Sequence, residues 1–202
     1  MDYWHGILTE KSWKVLQELK GRFDFILIGG WATYLWARTH KSKDIDIIVG
    51  FPVLSKLKRE YDLGKNDNLK KYEISIDEID VDIYVPFYSE LALPLEKVEY
   101  EMIEGLKVAK LEYLLILKQA AEEERSHSEK GEKDRIDIIS LLLNCDVNFK
   151  KYHALLEENG KAEYFKKLMQ MVQNFMDYKY LNLSPRELKL KKRKILEDMK
   201  KV

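Results

Sequence analysis

The feature that most constrains the fold is a short apolar run, residues 23–30 (FDFILIGG), which ends in two glycines. A run of this kind predicts a buried strand followed by a tight turn. Residues 31–39 then have helical spacing, and residues 43–50 (KDIDIIVG) alternate aspartate with isoleucine, as a strand with one buried face does. The sequence therefore predicts a strand, a glycine turn, a short helix and a second strand in close succession.

Further helix and strand signals lie on both sides of this segment, as far as about residue 110. Thr9 is the predicted cap of a first helix that stops at Gly21, and residues 53–62 predict a helix with a polar face. Residues 71–85 hold two strand patterns, KYEISI and EIDVDIYV, and residues 105–110 (GLKVAK) predict one more strand. We expect these strands to form one mixed sheet with helices packed against it.

From Leu111 onward the pattern is helical. Residues 111–125 and 132–145 are two long helical segments, and the last helix opens with SPRE at residues 184–187, a capping box with proline at the first helical position. The sequence thus predicts an α+β fold with two domains. Residues 1–110 are expected to form the sheet domain, and residues 111–202 an all-helical half at the C terminus.

Composition argues against several classes of protein. The chain is 46% apolar and 35% charged, and it has no run of about 18 apolar residues, so a membrane-spanning helix is excluded. The charged N terminus lacks a signal-peptide pattern, and the single cysteine, Cys145, excludes a disulfide framework. Lys plus Arg and Asp plus Glu both total 35, which argues against a globally basic nucleic-acid binder. We expect a cytoplasmic protein, and its lysine- and glutamate-rich composition is typical of thermophiles.

Three aspartates define the candidate chemistry of the sheet half. Asp44 and Asp46 lie two positions apart in a predicted strand and so share one face. Two carboxylates this close repel each other unless a cation neutralises them, and Mg²⁺ prefers such hard oxygen ligands. Asp80 and Asp82, which share one face of the EIDVDIYV strand, would each add a third carboxylate and allow two ions to be bridged for in-line attack on a phosphate. The pattern leaves open which of the two is the third ligand.

The glycines fit the same chemistry. Backbone amides of Gly29 and Gly30 would approach a triphosphate closely at the start of a helix. We expect residues 23–28, 44–49 and 79–85 to be neighbouring strands, on which the three carboxylates converge. Each signal also has a plain structural interpretation: the glycines as an ordinary turn, and the Asp-Ile-Asp pattern as the polar face of an edge strand. Their order and spacing together are more specific than either signal alone.

This order and spacing resemble those of a known superfamily. The segment LIGGWATYLWARTHKSKDIDIIV, followed by an aspartate on a later strand, is similar to the pattern of the nucleotidyltransferase superfamily of DNA polymerase beta type. Within it the chain looks most like the minimal and AbiEii-type nucleotidyltransferases. These proteins have a lysine in an LxxLK helix, here Lys118, and a Lys-Asp pair at the start of the next helix, here Lys133-Asp134. The resemblance covers about residues 23–145 and implies a nucleotidyltransferase-fold mixed sheet.

The resemblance implies a role for each matching residue. Gly29 and Gly30 would hold the triphosphate, and the catalytic carboxylates and Mg²⁺ ligands would be Asp44, Asp46 and Asp82. The remaining nucleotide-binding residues that it implies are Ser42, Lys43, Lys118, Lys133 and Asp134. The family turn often has an arginine and a threonine before the first aspartate, whereas this chain has the stretch HKSK, with no arginine and with serine in place of threonine.

The sequence thus predicts a Mg²⁺-dependent enzyme that transfers NMP from a nucleoside triphosphate, with ATP favoured, to an acceptor hydroxyl. The acceptor is left open. Residues 77–104 hold nine acids and one lysine, which suits a cationic, aminoglycoside-like small molecule. The tail from Pro185 has eight basic and three acidic residues, which suits tRNA. The AbiEii resemblance also implies a tRNA or protein acceptor and an antitoxin partner. The alternative is a non-catalytic module of the same fold that binds a partner.

Overall fold

The computed structural model of the protein describes residues 2–202, with side chains from Gly6 onward. The described residues form one seven-stranded sheet and a series of helices. The strands are β1 (Ile26–Ile28), β2 (Ile45–Ile48), β3 (Gly64–Asn66), β4 (Lys71–Ile76), β5 (Ile79–Tyr84), β6 (Tyr100–Ile103) and β7 (Leu106–Ala109). The helices are α1 (Asp2–Arg22), α2 (Gly29–Ala37), α3 (Phe51–Glu60), α4 (Leu111–Arg125), α5 (Glu129–Asn144), α6 (Phe149–Glu158), α7 (Glu163–Asn174) and α8 (Pro185–Met199). Short 3₁₀ turns lie at Leu95–Lys97 and Tyr178–Leu181.

The sheet is mixed, with the strand order β3-β4-β5-β2-β1-β7-β6. β2 lies at its centre, antiparallel to β1 and parallel to β5, and β7 pairs in parallel with the other side of β1. The prediction that residues 23–28, 44–49 and 79–85 provide neighbouring strands is therefore confirmed. The α+β class with a helical C-terminal half is confirmed as well.

Two predicted helix starts are wrong by more than two residues. α1 begins at Asp2, so Thr9 lies inside the helix, where its hydroxyl donates a 3.0 Å hydrogen bond to the carbonyl of Gly6 instead of capping the first turn. α5 begins at Glu129, three residues earlier than the sequence indicated. The reason is that the hydroxyl of Ser128 accepts a hydrogen bond from a backbone N–H three residues further on and so caps the helix there.

β2 and β5 bury one face completely, and their other face carries the aspartates. Ile45 on β2 and Val81 on β5 are fully buried, and their neighbours along each strand point to the opposite face. Trp31, which follows the two glycines, is also buried, and its indole N–H donates a 2.8 Å hydrogen bond to Ser12 Oγ on α1. This tryptophan therefore fills the core of the sheet unit.

The chain divides into two compact units. The boundary along the sequence lies between Lys110 and Leu111, and residues 36–39 group with the second unit. Leucines from several helices form the core of the second unit, among them Leu114 on α4 and Leu168 on α7. The predicted capping box of α8 is present, with Ser184 and Glu187 bonded to each other's backbone N–H groups. In the described part of the chain, none of the helices is long and apolar enough to cross a bilayer.

Candidate active site

The pairing of β2 with β5 brings two carboxylates side by side. The register of this parallel pair places Asp46 opposite Asp82 and Ile45 opposite Val81. Because side chains alternate along a strand, the two apolar residues lie in the core and both aspartates lie on the other face, where they are partly exposed. Asp80 is exposed, lies two residues before Asp82 on β5, and is opposite Ser75 on β4. The register therefore favours Asp82 as the neighbour of Asp46.

Gly29 connects this pair of carboxylates to the start of α2. Its φ is +66°, and a Cβ placed on it would lie only 1.9 Å from Asp46 Oδ2. Glycine is required here on both counts, because other residues avoid this backbone conformation and because the Asp46 carboxylate packs against the Cα. Gly30 follows in the first turn of α2, so backbone N–H groups that a helix start leaves unbonded lie beside Asp46.

A further carboxylate, which the sequence analysis did not identify, lies in line with these two. Glu73 on β4 is opposite Asp82 on β5, and Asp82 is opposite Asp46 on β2. We call Glu73, Asp82 and Asp46 the carboxylate row. Like charges opposed across strands destabilise a sheet unless they are neutralised. The alternation in KYEISI puts Glu73 and Lys71 on one face, but only the pairing of β4 with β5 shows which residues that face meets.

Lys71 neutralises part of the carboxylate row. Its ammonium nitrogen lies 2.6 Å from Asp82 Oδ2 and 3.0 Å from Glu73 Oε1, and its side chain is 11% exposed. Burial lowers the pKa of Lys71, but the hydrogen bonds to the two carboxylates outweigh burial and raise this pKa above its ordinary value. Burial also raises the pKa of Asp82, and the hydrogen bond from Lys71 offsets only part of that rise. The same lysine lowers the pKa of Glu73.

The other predicted residues of the sheet half lie just before β2. Asp44 is exposed, and its charge contributes to the raised pKa of Asp82, so the two carboxylates share one neighbourhood. Ser42 is buried and Lys43 is exposed. The contacts of Ser42 and Lys43 with a phosphate stay predictions.

The chemistry of these donors suits a hard divalent cation, because Asp46 on β2 and Asp44 just before this strand offer carboxylate oxygens near the start of α2. Within the described residues, however, no group of three or more His, Cys, Asp or Glu side chains is arranged to hold a metal ion. Lys71 lies on Asp82 instead. The part of the predicted ligand set that fits an ion is therefore the pair Asp44 and Asp46, and the binding of Mg²⁺ stays a prediction.

The remaining predicted nucleotide-binding residues belong to the helical unit. Lys118 on α4 is buried, with its ammonium nitrogen 3.2 Å from Asp134 Oδ1 and 2.7 Å from Asp137 Oδ2. Arg125 lies 2.7 Å from Asp134 Oδ2. We call Lys118, Arg125, Asp134 and Asp137 the helical cluster. Lys133 is exposed on α5. Lys118 thus forms an ion pair with Asp134, and the binding of Lys118, Lys133 and Asp134 to a nucleotide stays a prediction.

Comparison with solved structures identifies the fold. An antigenic nucleotidyltransferase-like protein from Paracoccidioides brasiliensis is 18% identical, with a TM-score of 0.51 over 90% of this chain and 92% of that one. JHP933 from Helicobacter pylori is 17% identical, with a TM-score of 0.47 over 98% of this chain and 92% of that one. No protein-family model and no curated protein matches the sequence significantly.

The chain therefore has a nucleotidyltransferase fold. This confirms the fold that the sequence resemblance implied. The likeness at 18% identity concerns the fold alone, and the AbiEii-type assignment stays a prediction.

Proposed function

We propose that the protein is a Mg²⁺-dependent nucleotidyltransferase that transfers NMP from a nucleoside triphosphate, with ATP favoured, to an acceptor hydroxyl and releases pyrophosphate. The observation that supports this best is the opposition of Asp46 and Asp82 on parallel strands, beside a glycine turn that opens α2. An edge strand with a solvated polar face does not explain this position, because β2 lies at the centre of the sheet.

Each residue of the site has a chemical task in this proposal. Asp44 and Asp46 would hold Mg²⁺, which supplies Lewis-acid neutralisation of phosphate charge. The backbone N–H groups of Gly29 and Gly30 would donate hydrogen bonds to phosphate oxygens at the start of α2. Asp82 would accept the proton of the attacking hydroxyl, and its raised pKa suits this task because it makes the carboxylate a stronger base than usual.

Two surfaces of the chain suggest the acceptor. The acidic segment 77–104 suits a small cationic acceptor of aminoglycoside type, since it holds nine acids and one lysine. The basic tail from Pro185 suits tRNA. A protein hydroxyl is the third candidate, in which case an antitoxin partner would restrain the enzyme.

Labelled ATP tests the transfer and the acceptor together. The purified protein is incubated with Mg²⁺, a cell lysate and ATP labelled at the α or at the γ phosphate, and the products are separated into RNA, protein and small molecules. NMP transfer puts the α label, but not the γ label, into one of these fractions. A γ label in the product would indicate a kinase reaction instead. The absence of any labelled product would contradict the proposal.

A non-catalytic binding module is the second candidate function. The contact between Lys71 and Asp82 favours it, because the carboxylate that should act as a base is bonded to a cation. A binding module would retain its partner when Asp46 is replaced by asparagine and would never transfer the α label. A pull-down with wild type and Asp46→Asn, read beside the label assay, separates the two functions.

A further inference from the structure

Lys71 places a positive charge on Asp82, the carboxylate that a two-ion mechanism would use as a ligand. From its contacts we infer that Lys71 is a built-in counter-cation for Asp82, which restricts the site to a single divalent ion. The inference rests on the proposed function to the extent that Asp44 and Asp46 hold such an ion. It goes further by proposing that Lys71 determines how many divalent ions the site binds.

The strand pairing fixes the position of Lys71, whose side chain is largely buried. Lys71 and Glu73 lie two residues apart on β4 and so share a face, and Glu73 is directly opposite Asp82 on β5. Lys71 is therefore diagonal to Asp82, a spacing that a long side chain spans easily. Its ammonium nitrogen bonds both carboxylates while the side chain is only 11% exposed. A buried stem with two charged partners keeps the ammonium group in this place.

The charge of Lys71 then governs where a divalent ion binds. An ammonium group 2.6 Å from Asp82 Oδ2 is within a few ångströms of any ion bound by the same carboxylate. Charges of the same sign at about 4 Å repel strongly at the effective dielectric of a partly buried site. Asp82 is thus a poor ligand for a second ion while Lys71 is present. This agrees with the finding that no three acids in the described residues are arranged around a metal position.

The contact between Lys71 and Glu73 gives Glu73 a positioning role. Glu73 lies 3.0 Å from the Lys71 nitrogen, is 44% exposed, and shares the ammonium group with Asp82. It anchors Lys71 from the side away from Asp46, because β4 and β2 flank β5 on opposite sides. Lys71 and Glu73 are positioning residues in this account, since they act through Asp82.

Mn²⁺ serves as the probe, because its binding is counted by electron paramagnetic resonance without any turnover. Wild type should bind one Mn²⁺ per chain. Lys71→Met keeps the length and apolar stem of the side chain but removes the charge, and it should bind a second Mn²⁺ or bind Mn²⁺ at least tenfold more tightly. Lys71→Arg, which keeps the charge, should behave as wild type. Lys65→Met is the matched control, since Lys65 is an exposed lysine on β3 whose partner is Asp67, and it should change nothing.

The double variant Lys71→Met, Asp82→Asn should lose the gained Mn²⁺ binding, because the gain is assigned to Asp82. Two ions bound by the wild type would overturn the inference without any variant. An isotherm of Lys71→Met that equals that of wild type would overturn it too, including the case in which neither protein binds Mn²⁺. Failure of the proposed function gives a different result. In that case wild type transfers no α label, although its Mn²⁺ isotherm still differs from that of Lys71→Met.

Discussion

The two clusters of charge in this molecule are built on opposite principles. In the helical cluster, Lys118 and Arg125 face Asp134 and Asp137, two cations for two carboxylates, and the side chains of Lys118, Asp134 and Asp137 are 9%, 2% and 3% exposed. In the carboxylate row, Asp82 and Glu73 share the single ammonium group of Lys71, and their side chains are 22% and 44% exposed.

The difference separates a structural role from a binding role. The helical cluster has matched charges, its lysine and two aspartates are buried, and it joins α4 to α5, as a structural ion-pair network does. A partly exposed pair of carboxylates that shares one lysine suits a further cation, whose binding stays a prediction. The comparison therefore favours the sheet as the place of the proposed chemistry and a structural role for the helical cluster.

The largest effect that we expect follows from breaking the helical cluster. Lys118→Ala leaves Asp137 buried without its 2.7 Å partner, so the free energy of unfolding should fall by about 3–5 kcal/mol, measured by urea denaturation. The double variant Lys118→Met, Asp137→Leu removes both charges and should recover most of the loss. Lys167→Ala, which breaks an exposed pair with Glu123, should change stability little. A Lys118→Ala protein as stable as wild type would show that the cluster is not structural.

The second prediction concerns the carboxylate row. Asp46→Asn should lower NMP transfer at least about 100-fold, which corresponds to about 2.7 kcal/mol in the barrier, because it removes a proposed cation ligand. Its stability should equal or exceed that of wild type, since a repelling charge is removed. Asp80→Asn, an exposed acid on β5, is the matched control and should keep full transfer. An equal loss of transfer in Asp80→Asn would contradict the choice of Asp82 over Asp80 as the third carboxylate of the site.

A smaller effect is expected at the glycine turn. Gly29→Ala forces a residue with a Cβ into φ +66° and against Asp46 Oδ2, so stability should fall by at least about 1–2 kcal/mol. Transfer should fall as well, because the Asp46 carboxylate must move. Gly21→Ala has no atom within 4 Å of its new Cβ and lies in α1, so it should gain up to about 1 kcal/mol. A Gly29→Ala protein with wild-type stability would exclude the close approach of Asp46.

The smallest expected effect is a difference in pH dependence. Burial raises the pKa of Asp82 in the folded state, so the folded protein binds this proton more tightly than the unfolded chain does. Ionisation of Asp82 therefore costs stability as the pH rises from about the ordinary value of 3.8 through the raised value. Asp82→Asn lacks this cost, so its stability relative to wild type should increase with pH across that window. A relative stability that decreases with pH would mean that the contact with Lys71 outweighs burial.

Local patterns in the sequence were enough to predict the central strands and the helical half. The alternation in KDIDIIVG and EIDVDIYV identifies β2 and β5, because each strand buries one face. β3 and β6 were not predicted, since they are short strands at the edges of the sheet with few buried residues. The start of α1 was placed too late because threonine is a common cap, whereas Thr9 bonds within the helix.

The partners of the site residues were harder to predict, because they depend on contacts that are distant in sequence. Asp44, Asp46 and Asp82 were predicted to converge; the strand register places Asp46 opposite Asp82, whereas no three acids of the described residues are grouped as a metal site. Lys71 was missed although its partner is close in sequence, because β4 and β5 form a hairpin with a two-residue turn that sets Lys71 diagonal to Asp82. Asp137 could have been found from the sequence, since Asp134 and Asp137 lie three positions apart on α5 and so share one face of that helix. Both aspartates contact Lys118 on α4.

Calorimetric titration with α,β-methylene-ATP, an analogue that cannot release pyrophosphate, tests the central claim most directly. The claim is that the sheet site binds a nucleotide through a divalent cation held by Asp44 and Asp46. Wild type should bind the analogue in Mg²⁺, lose that binding in EDTA, and lose it also in Asp46→Asn. Equal binding in EDTA, or no binding in Mg²⁺, would contradict the claim.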